Sequence, residues 1–381
     1  MKRSLTVWLN IYLLGIVSLL TDISSEMINA VMPAFLFALG GGGLALGLVG
    51  NLPDVFQGLT HFFSGSLSDK IGKRKPLILA GYLISSVSKF FIVATNAIPV
   101  ITAARAGDRI GKGVRTAPRD SLIGETVPGE YMGKAFGIHR MMDTTGAAAG
   151  TVMAFVLWKA GFGLKSIILT GAAVSFLALV PILILREKKV RIKPTDEAGK
   201  KGKLLPVLIY TAIFSVGNIS YLFFITFIQM MNKTGNKNAV SAGIISYIIY
   251  NLFYALFAVP AGKFADRTNC KKGMLLGNYL FLALCVIFIF IKNPLYLMLA
   301  MAVFGVSHAF IEVNQRTWVS LLSPDSKRGK TMGSFQLIRT LALLAGGIIQ
   351  GILWNINPVY AFVWAGCLSA VSALFLIALA V

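Results

Sequence analysis

The stretch Gly65-Ser66-Leu67-Ser68-Asp69-Lys70-Ile71-Gly72-Lys73-Arg74 closes an apolar run, and 197 residues later Gly262-Lys263-Phe264-Ala265-Asp266-Arg267 closes another. A second pair keeps almost the same distance: Pro128-x4-Gly133-Lys134-x2-Gly137 and Pro324-x4-Gly329-Lys330-x2-Gly333 lie 196 residues apart. Two independent pairs at one offset mark a duplicated chain. Equivalent loops of two parallel six-span halves must face the same side of a membrane, so an even number of spans separates Asp69 from Asp266. That parity keeps the charged segment 98–122 as a span, although a hydropathy plot would score it poorly.

Composition agrees with a membrane chain. The 381 residues hold Lys+Arg 36 against Asp+Glu 15, a formal charge of +21, yet only 13% are charged and 56% are hydrophobic. The mean hydropathy is +0.74. Soluble domains are about a quarter charged, and a soluble core cannot hide this much apolar surface. The same numbers exclude a disordered chain. A span takes about 20 residues, and apolar runs between polar punctuation predict twelve: 7–38, 44–66, 76–95, 98–122, 134–158, 164–185, 204–231, 240–262, 273–291, 294–321, 331–354 and 358–380. The chain opens Met1-Lys2-Arg3 like a leader, but no small-x-small cleavage site follows, so the first span is expected to be retained.

Charge fixes the expected direction. With the amino terminus inside, 25 Lys and Arg fall in inner loops and span ends, against Lys159, Lys165, Lys233, Lys237 and Lys292 outside. This positive-inside bias puts both termini in the cytoplasm and the protein in the cell membrane. It also explains the basic charge without nucleic acid, which would want the bases on one folded face. The run 186–203 (REKKVRIKPTDEAGKKGK) is read as a solvated linker. It divides an amino-terminal six-helix bundle (1–186) from a carboxy-terminal one (204–381), with 187–203 between them. Cys270, Cys285 and Cys367 form no CxxC pair and read as apolar fillers, with no disulfide frame. No metal site and no cofactor are expected. No Gly-x4-Gly-Lys-Ser/Thr, HExxH or GxSxG occurs, which disfavours an enzyme.

The loop 65–74 resembles the signature loop of the major facilitator superfamily, Gly-x-x-x-Asp-Arg/Lys-x-Gly-Arg/Lys-Arg/Lys, at every specified position. Arg109-x3-Gly113 resembles that family's second motif. The stretch Asp108–Asp120 (DRIGKGVRTAPRD) looks like a prokaryotic branch of it. The resemblance implies an all-α membrane protein, two six-helix bundles, alternating access, and a gating role for Gly65, Asp69, Lys70, Gly72, Lys73 and Arg74. Gly262, Asp266 and Arg267 repeat the loop without its Gly-basic-basic tail, and a gate and a simple helix end both remain open there. The residues themselves allow the same reading. Gly65 permits close helix approach, and Asp69 offers a negative charge to a facing helix end or Arg. The antiporter pattern Gly-Pro-x-x-Gly-Gly is not kept: Gly146-Ala-Ala-Ala-Gly150-Thr151 stands in its place and predicts close helix packing.

An ionisable side chain near mid-bilayer costs about 3 kcal/mol or more, so each is a candidate site. The embedded acids are Asp22, Glu26, Asp54, Asp143 and Glu312. The bases are Lys89, Arg105, Arg109, Arg140, Arg316 and Arg339. Mutual pairing is the competing reading for all of them. Asp22 and Glu26, four apart on one helix face, suit proton or cation handling. Arg105 and Arg109 head a basic stripe that either neutralises an acid of span 1 or meets an anionic substrate. His308, Glu312, Gln315 and Arg316 share a helix face and could relay a proton. Asn51, Asp54 and His61 do the same in span 2, and Arg140 with Asp143 reads as a local ion pair. Tyr247, Tyr250, Asn251 and Tyr254, with Asn218 and Gln229, line a cavity or simply pack.

The expectation is a proton-coupled secondary transporter that works as a monomer, with a lean to efflux of a small organic molecule or cation. The alternative is an importer or exchanger of organic anions using the span 4 arginines. A non-transporting membrane receptor or scaffold on the same fold is the reading from another class.

Overall fold

The computed structural model describes residues 2–40, 43–185, 187, 197–231 and 236–379. The side chains of Asn51 and Asp54 lie outside the described residues, as does most of the stretch 187–203. The described residues form helices and short connections, with no strand among them. In chain order these are α1 (Lys2–Ala38), α2 (Gly43–Ile71), α3 (Lys75–Val93), α4 (Ile98–Thr126), α5 (Met132–Lys159), α6 (Leu164–Leu177), α7 (Leu179–Ile184), α8 (Glu197–Gly217) and α9 (Tyr221–Met231). Then come α10 (Asn236–Arg267), α11 (Cys270–Phe290), α12 (Pro294–Leu322), α13 (Arg328–Ile356) and α14 (Pro358–Ala378).

Each of the twelve expected spans coincides with one helix or with a broken pair, α6/α7 and α8/α9. Nine such segments are apolar and long enough to cross a bilayer among the described residues. The segments of α2, α4 and α5 are not among them, and α4 carries charges along most of its length. The first break has a local cause. Pro181 cannot donate to the carbonyl four residues earlier and crowds it, and α6 stops at that residue, Leu177. Pro118 has the same effect inside α4, where the freed carbonyl of Val114 accepts the Ser64 hydroxyl of α2. Within the stretch read as a linker, α8 is helical from Glu197.

The distribution of polarity is inverted relative to a soluble protein. Phe290 is 76% exposed and Leu374 66%, whereas Lys89 and Asp120 are 0% exposed. Lipid accepts the first pair at no cost, and the buried ions must find partners inside.

The chain forms two compact units. Unit 1 is Met1–Pro128, Met142–Thr195 and Ser323–Leu337; unit 2 is Gly129–Met141, Asp196–Leu322 and Ile338–Val381. Each is largely one half of the sequence, and each takes in a short piece of the other half: the start of α13 belongs to unit 1, the start of α5 to unit 2. In unit 1, α1 packs on α6, and α4 on α2 and α3, around an apolar core of Met27, Ile28, Phe35, Ile101 and Ile167. Gly146 and Gly150 lie against the backbone of Leu19 and Ile23, so close that a Cβ at either would come within 3.0 Å of α1. In unit 2, α12 packs on α10 and α11, and α14 on α8 and α11. Phe224, Phe288 and Phe362 pack together in unit 2 with ring centroids 4.7 to 5.3 Å apart.

Candidate functional site

Three groups of residues hold the chemistry. The first is the pair of repeated loops. In unit 1 the Asp69 carboxylate accepts the backbone N–H of Gly329 at 2.9 Å and of Lys330 at 2.6 Å, at the start of α13. The first N–H groups of a helix have no partner within it and carry its positive end, so one carboxylate satisfies two of them. Gly65 and Gly329 approach so closely that a Cβ on either would come within 3.0 Å of the other's backbone. In unit 2 Asp266 does the same for α5: Gly133 N–H at 2.7 Å and Lys134 N–H at 2.8 Å, with Gly262 against Gly133. The loop that lacks the basic tail thus makes the same contact as the full one.

Asp69 has further support. Arg74 Nη1 lies 2.7 Å from it and Nη2 2.7 Å from Glu125, and Nη1 also donates to Ser68. Burial works against the Arg74 charge, but Glu125 and Asp69 outweigh it and hold the guanidinium protonated above its ordinary range. The backbone N–H groups of Arg74 and Lys75 donate to Glu187, which caps α3. Sequence reasoning passed over Glu187 as part of a solvated run. Another repeated contact also escaped it. Lys75 Nζ donates to the carbonyls of Leu183 and Leu185 at the end of α7, and Lys271, 196 residues on, to those of Ile377 and Leu379 at the end of α14.

The second group lies in unit 1. Asp22 and Asp143 are in hydrogen-bonding contact through their carboxyls, with Glu26 and Lys112 in electrostatic reach. Ser18 Oγ donates to Asp143 at 2.6 Å. Glu26 accepts from Asn29 Nδ2 at 3.1 Å, and Asn29 Oδ1 from Arg105 at 2.8 Å. Arg105 meets span 1 through Asn29, and lies 3.7 Å from Asp108 on its own helix. The fully buried Lys89 donates to Ser24 and Ser25 and stands 3.8 Å from Asp108, which also accepts from Ser85. Asp120 accepts from Arg119 at 2.9 Å and Gln336 at 3.3 Å. Asp108 and Asp120 were not counted among the embedded acids, although both stand in the quoted stretch; the run of bases around them hid them. Arg109 and His61 also belong to this unit, both with interacting neighbours.

The third group lies in unit 2. Glu312 of α12 receives Arg140 Nη2 at 2.9 Å and Arg339 Nη2 on its other oxygen. Arg140 Nε donates to the Tyr254 hydroxyl, and its guanidinium lies 4.7 Å over that ring. Arg140 and Asp143, read as a local pair, each take a partner on another helix. His308 packs edge-on against Phe304 at 4.4 Å, among Tyr250 and Tyr254, in a cage of rings one turn from Glu312. Arg316 is buried on the same helix.

Known proteins agree with this architecture. A relative from Methanocaldococcus jannaschii, described as an uncharacterized MFS-type transporter, is 35% identical over 97% of this chain and 94% of its own. An uncharacterized protein of Mycobacterium bovis is 25% identical over 93% and 89%. Among solved structures, the human organic anion transporter MFSD10 (TETRAN) superposes with a TM-score of 0.79 at 13% identity, covering 97% of this chain and 99% of that one. FucP, a transporter solved in its outward conformation, gives 0.76 at 12%, covering 96% and 97%. The pattern of the Major Facilitator Superfamily matches residues 14–247 and 209–381. With twelve membrane segments, a duplicated signature loop and ionisable groups gathered inside, the chain belongs to that superfamily and is a secondary transporter by family and fold.

Proposed function

We propose that this transporter couples solute movement to protons, exporting a small organic molecule by alternating access. The observation that carries the reading is the carboxyl contact between Asp22 and Asp143. A pair of this kind loads one proton and releases it when the site opens to a more alkaline side or when a cation displaces it. Glu26 and Lys112 set how tightly that proton is held. The Asp69 and Asp266 contacts are the gate. Each fixes the start of a helix drawn from the other half of the sequence, and releasing it frees that helix to move.

The excess of basic residues in the inner loops supports a cell-membrane protein with both termini in the cytoplasm. We take the single chain as the working unit. Coupling is tested in proteoliposomes with an imposed pH gradient and a solute screen. Asp22→Asn and Asp143→Asn are expected to abolish uphill movement of the solute found, while exchange without a gradient survives. Gradient-driven accumulation in both variants removes the proton role, and an absence of any solute flux in the parent favours a receptor.

The anion reading gains from a specific observation in unit 2. Its embedded residues hold three guanidiniums, Arg140, Arg316 and Arg339, against one carboxylate, Glu312.

A further inference from the structure

We infer that Glu187 is a positioning residue for the Asp69 contact of unit 1. It ties the start of α3 to the end of α7, and so aims Arg74 at Asp69 and sets how firmly Asp69 holds the start of α13. The purpose of this positioning rests on the reading of that contact as a gate; the positioning itself rests on the geometry.

The start of α3 needs an acceptor from elsewhere. The first N–H groups of a helix have no partner within it, and Arg74, which precedes α3, makes no side-chain cap. An arginine or lysine side chain has donors only, so neither Arg74 nor Lys75 can cap this end. Pro76 has no N–H to satisfy. The two N–H groups of Arg74 and Lys75 are met by one carboxylate: Glu187 Oε1 accepts from Arg74 and Oε2 from Lys75, the latter at 3.0 Å.

The tie runs both ways. Lys75 Nζ donates to the carbonyls of Leu183 at 2.9 Å and Leu185 at 2.8 Å, where α7 ends. Glu187 lies two residues beyond Leu185. The acid that follows α7 thus caps α3, and the base that opens α3 caps α7. An acid at a helix start and a base at a helix end both suit the helix dipole.

Arg74 links this brace to Asp69. Its side chain is 3% exposed and fully committed: Nη1 meets Asp69 at 2.7 Å and Ser68 at 2.6 Å, while Nη2 and Nε meet Glu125 at 2.7 and 3.2 Å. A guanidinium is a rigid fork on a long stem, so where it points depends on where its backbone is held. Glu187 holds that backbone at the same residue's N–H. A stem fixed at its root also loses less freedom when the fork docks.

The second half of the chain supplies the comparison. At an offset of 196, Lys271 stands for Lys75 and Cys270 for Arg74. Lys271 keeps its two carbonyls, those of Ile377 and Leu379. The start of α11, however, is capped by its own Asn269, which accepts from the Lys272 N–H at 2.8 Å, a donor that Pro76 lacks at the equivalent place. Cys270 has no fork to aim at Asp266. The outside acid therefore occurs in the half that has an arginine to position.

Hydrogen exchange on the purified full-length protein in detergent reads the contact without any solute. Glu187→Ala is expected to speed exchange about fivefold at Arg74 and Lys75, as for a lost helix cap. It should also speed exchange about twofold or more at Gly329 and Lys330, with Gly133 and Lys134 unchanged. Glu187→Gln, which keeps one acceptor oxygen, should fall between. In an Arg74→Gln background Glu187→Ala should add nothing at Gly329 and Lys330, because the guanidinium is its route to them. Faster exchange at Arg74 and Lys75 alone makes Glu187 a plain helix cap and overturns the inference. An undiminished effect in the Arg74→Gln background overturns it too. Lys75→Met should speed exchange at Gly329, whereas Lys271→Met should leave Gly133 as it was; equal effects count against the inference. If Glu187→Ala unfolds, exchange rises at every amide, and Glu187→Gln then carries the comparison. The gate reading is decided apart, by pulsed electron resonance between nitroxides at Asn96 and Lys292 in a Cys367→Ser chain. If Asp69→Ala leaves that distance distribution unchanged, the gate reading falls while the positioning by Glu187 stands.

Discussion

The Asp266 carboxylate holds the backbone N–H of Gly133 at 2.7 Å, and Asp69 holds that of Gly329 at 2.9 Å. The donors, like the acceptors, are equivalent residues of the two halves. In both places a lone acid satisfies two N–H groups that the helix itself leaves open.

These amides should report on the contact directly. Asp69→Ala is expected to speed hydrogen exchange at Gly329 and Lys330 about tenfold, and Asp266→Ala to do so at Gly133 and Lys134, since a lost helix-start acceptor costs about 1 to 2 kcal/mol. Asp69→Ala should lower thermal stability more, because it also takes from the buried Arg74 one of its two carboxylate partners, leaving Glu125 and the Ser68 hydroxyl. Equal exchange rates with and without either acid would show that the carboxylates hold nothing.

Glycine-to-alanine pairs test the close approach. Gly65→Ala and Gly262→Ala place a Cβ within 3.0 Å of the facing backbone, whereas Gly351 has nothing within 4 Å of that position. The first two should cost about 1 to 3 kcal/mol through overpacking, and Gly351→Ala should be neutral or slightly stabilising in a helix. Melting temperatures in one detergent decide it.

Lys89 and Asp108 give an asymmetric prediction. Lys89→Met leaves Asp108 with Arg105 and Ser85, while Asp108→Asn leaves a buried ammonium with the hydroxyls of Ser24 and Ser25. Stranding a buried charge costs about 3 to 5 kcal/mol, so Asp108→Asn should destabilise more. The double variant should recover part of the loss. Additive losses in thermal unfolding would mean that the two groups do not interact.

Asp266 also carries a pH prediction. Burial raises its pKa above 3.8, and the N–H groups of Lys134 and Gly133 with the Lys134 charge offset this only in part. An acid raised in the folded state contributes stability that is full below its unfolded value and is lost as pH rises through the folded one. The melting-temperature difference between the parent and Asp266→Asn should therefore shift against the parent as pH rises from below the ordinary carboxylate range through the raised pKa of Asp266. A shift in its favour as pH rises would mean that the hydrogen bonds outweigh burial.

The duplicated halves were legible because Gly65, Asp69, Gly262 and Asp266 are fixed by backbone contact, and few residues fit a helix crossing under such constraint. The receiving positions were legible too, as the repeat around Gly133 and Gly329, but nothing in a linear pattern says that one repeat binds the other. The site was less readable. Asp108 and Asp120 sit among five bases of α4, where a count of charge sees only the excess. Arg140 meets Glu312 across more than 170 residues of chain, a pairing set by tertiary packing. The break after Gly217 carries only an Asn and a Ser as its mark, whereas Pro181 announces the break in α6.

Asp69 and its two donors are 260 and 261 residues apart in the chain. A ribosome that has finished the first six segments has built the receiving groove of unit 1 without the peptide that fills it. Until residue 330 emerges, Gly65 faces an empty slot and Asp69 has only Arg74 and water. Docking of the Gly329 segment is therefore a late step of biogenesis, and substitutions at Gly329 should show first as poor maturation in the membrane rather than as altered turnover.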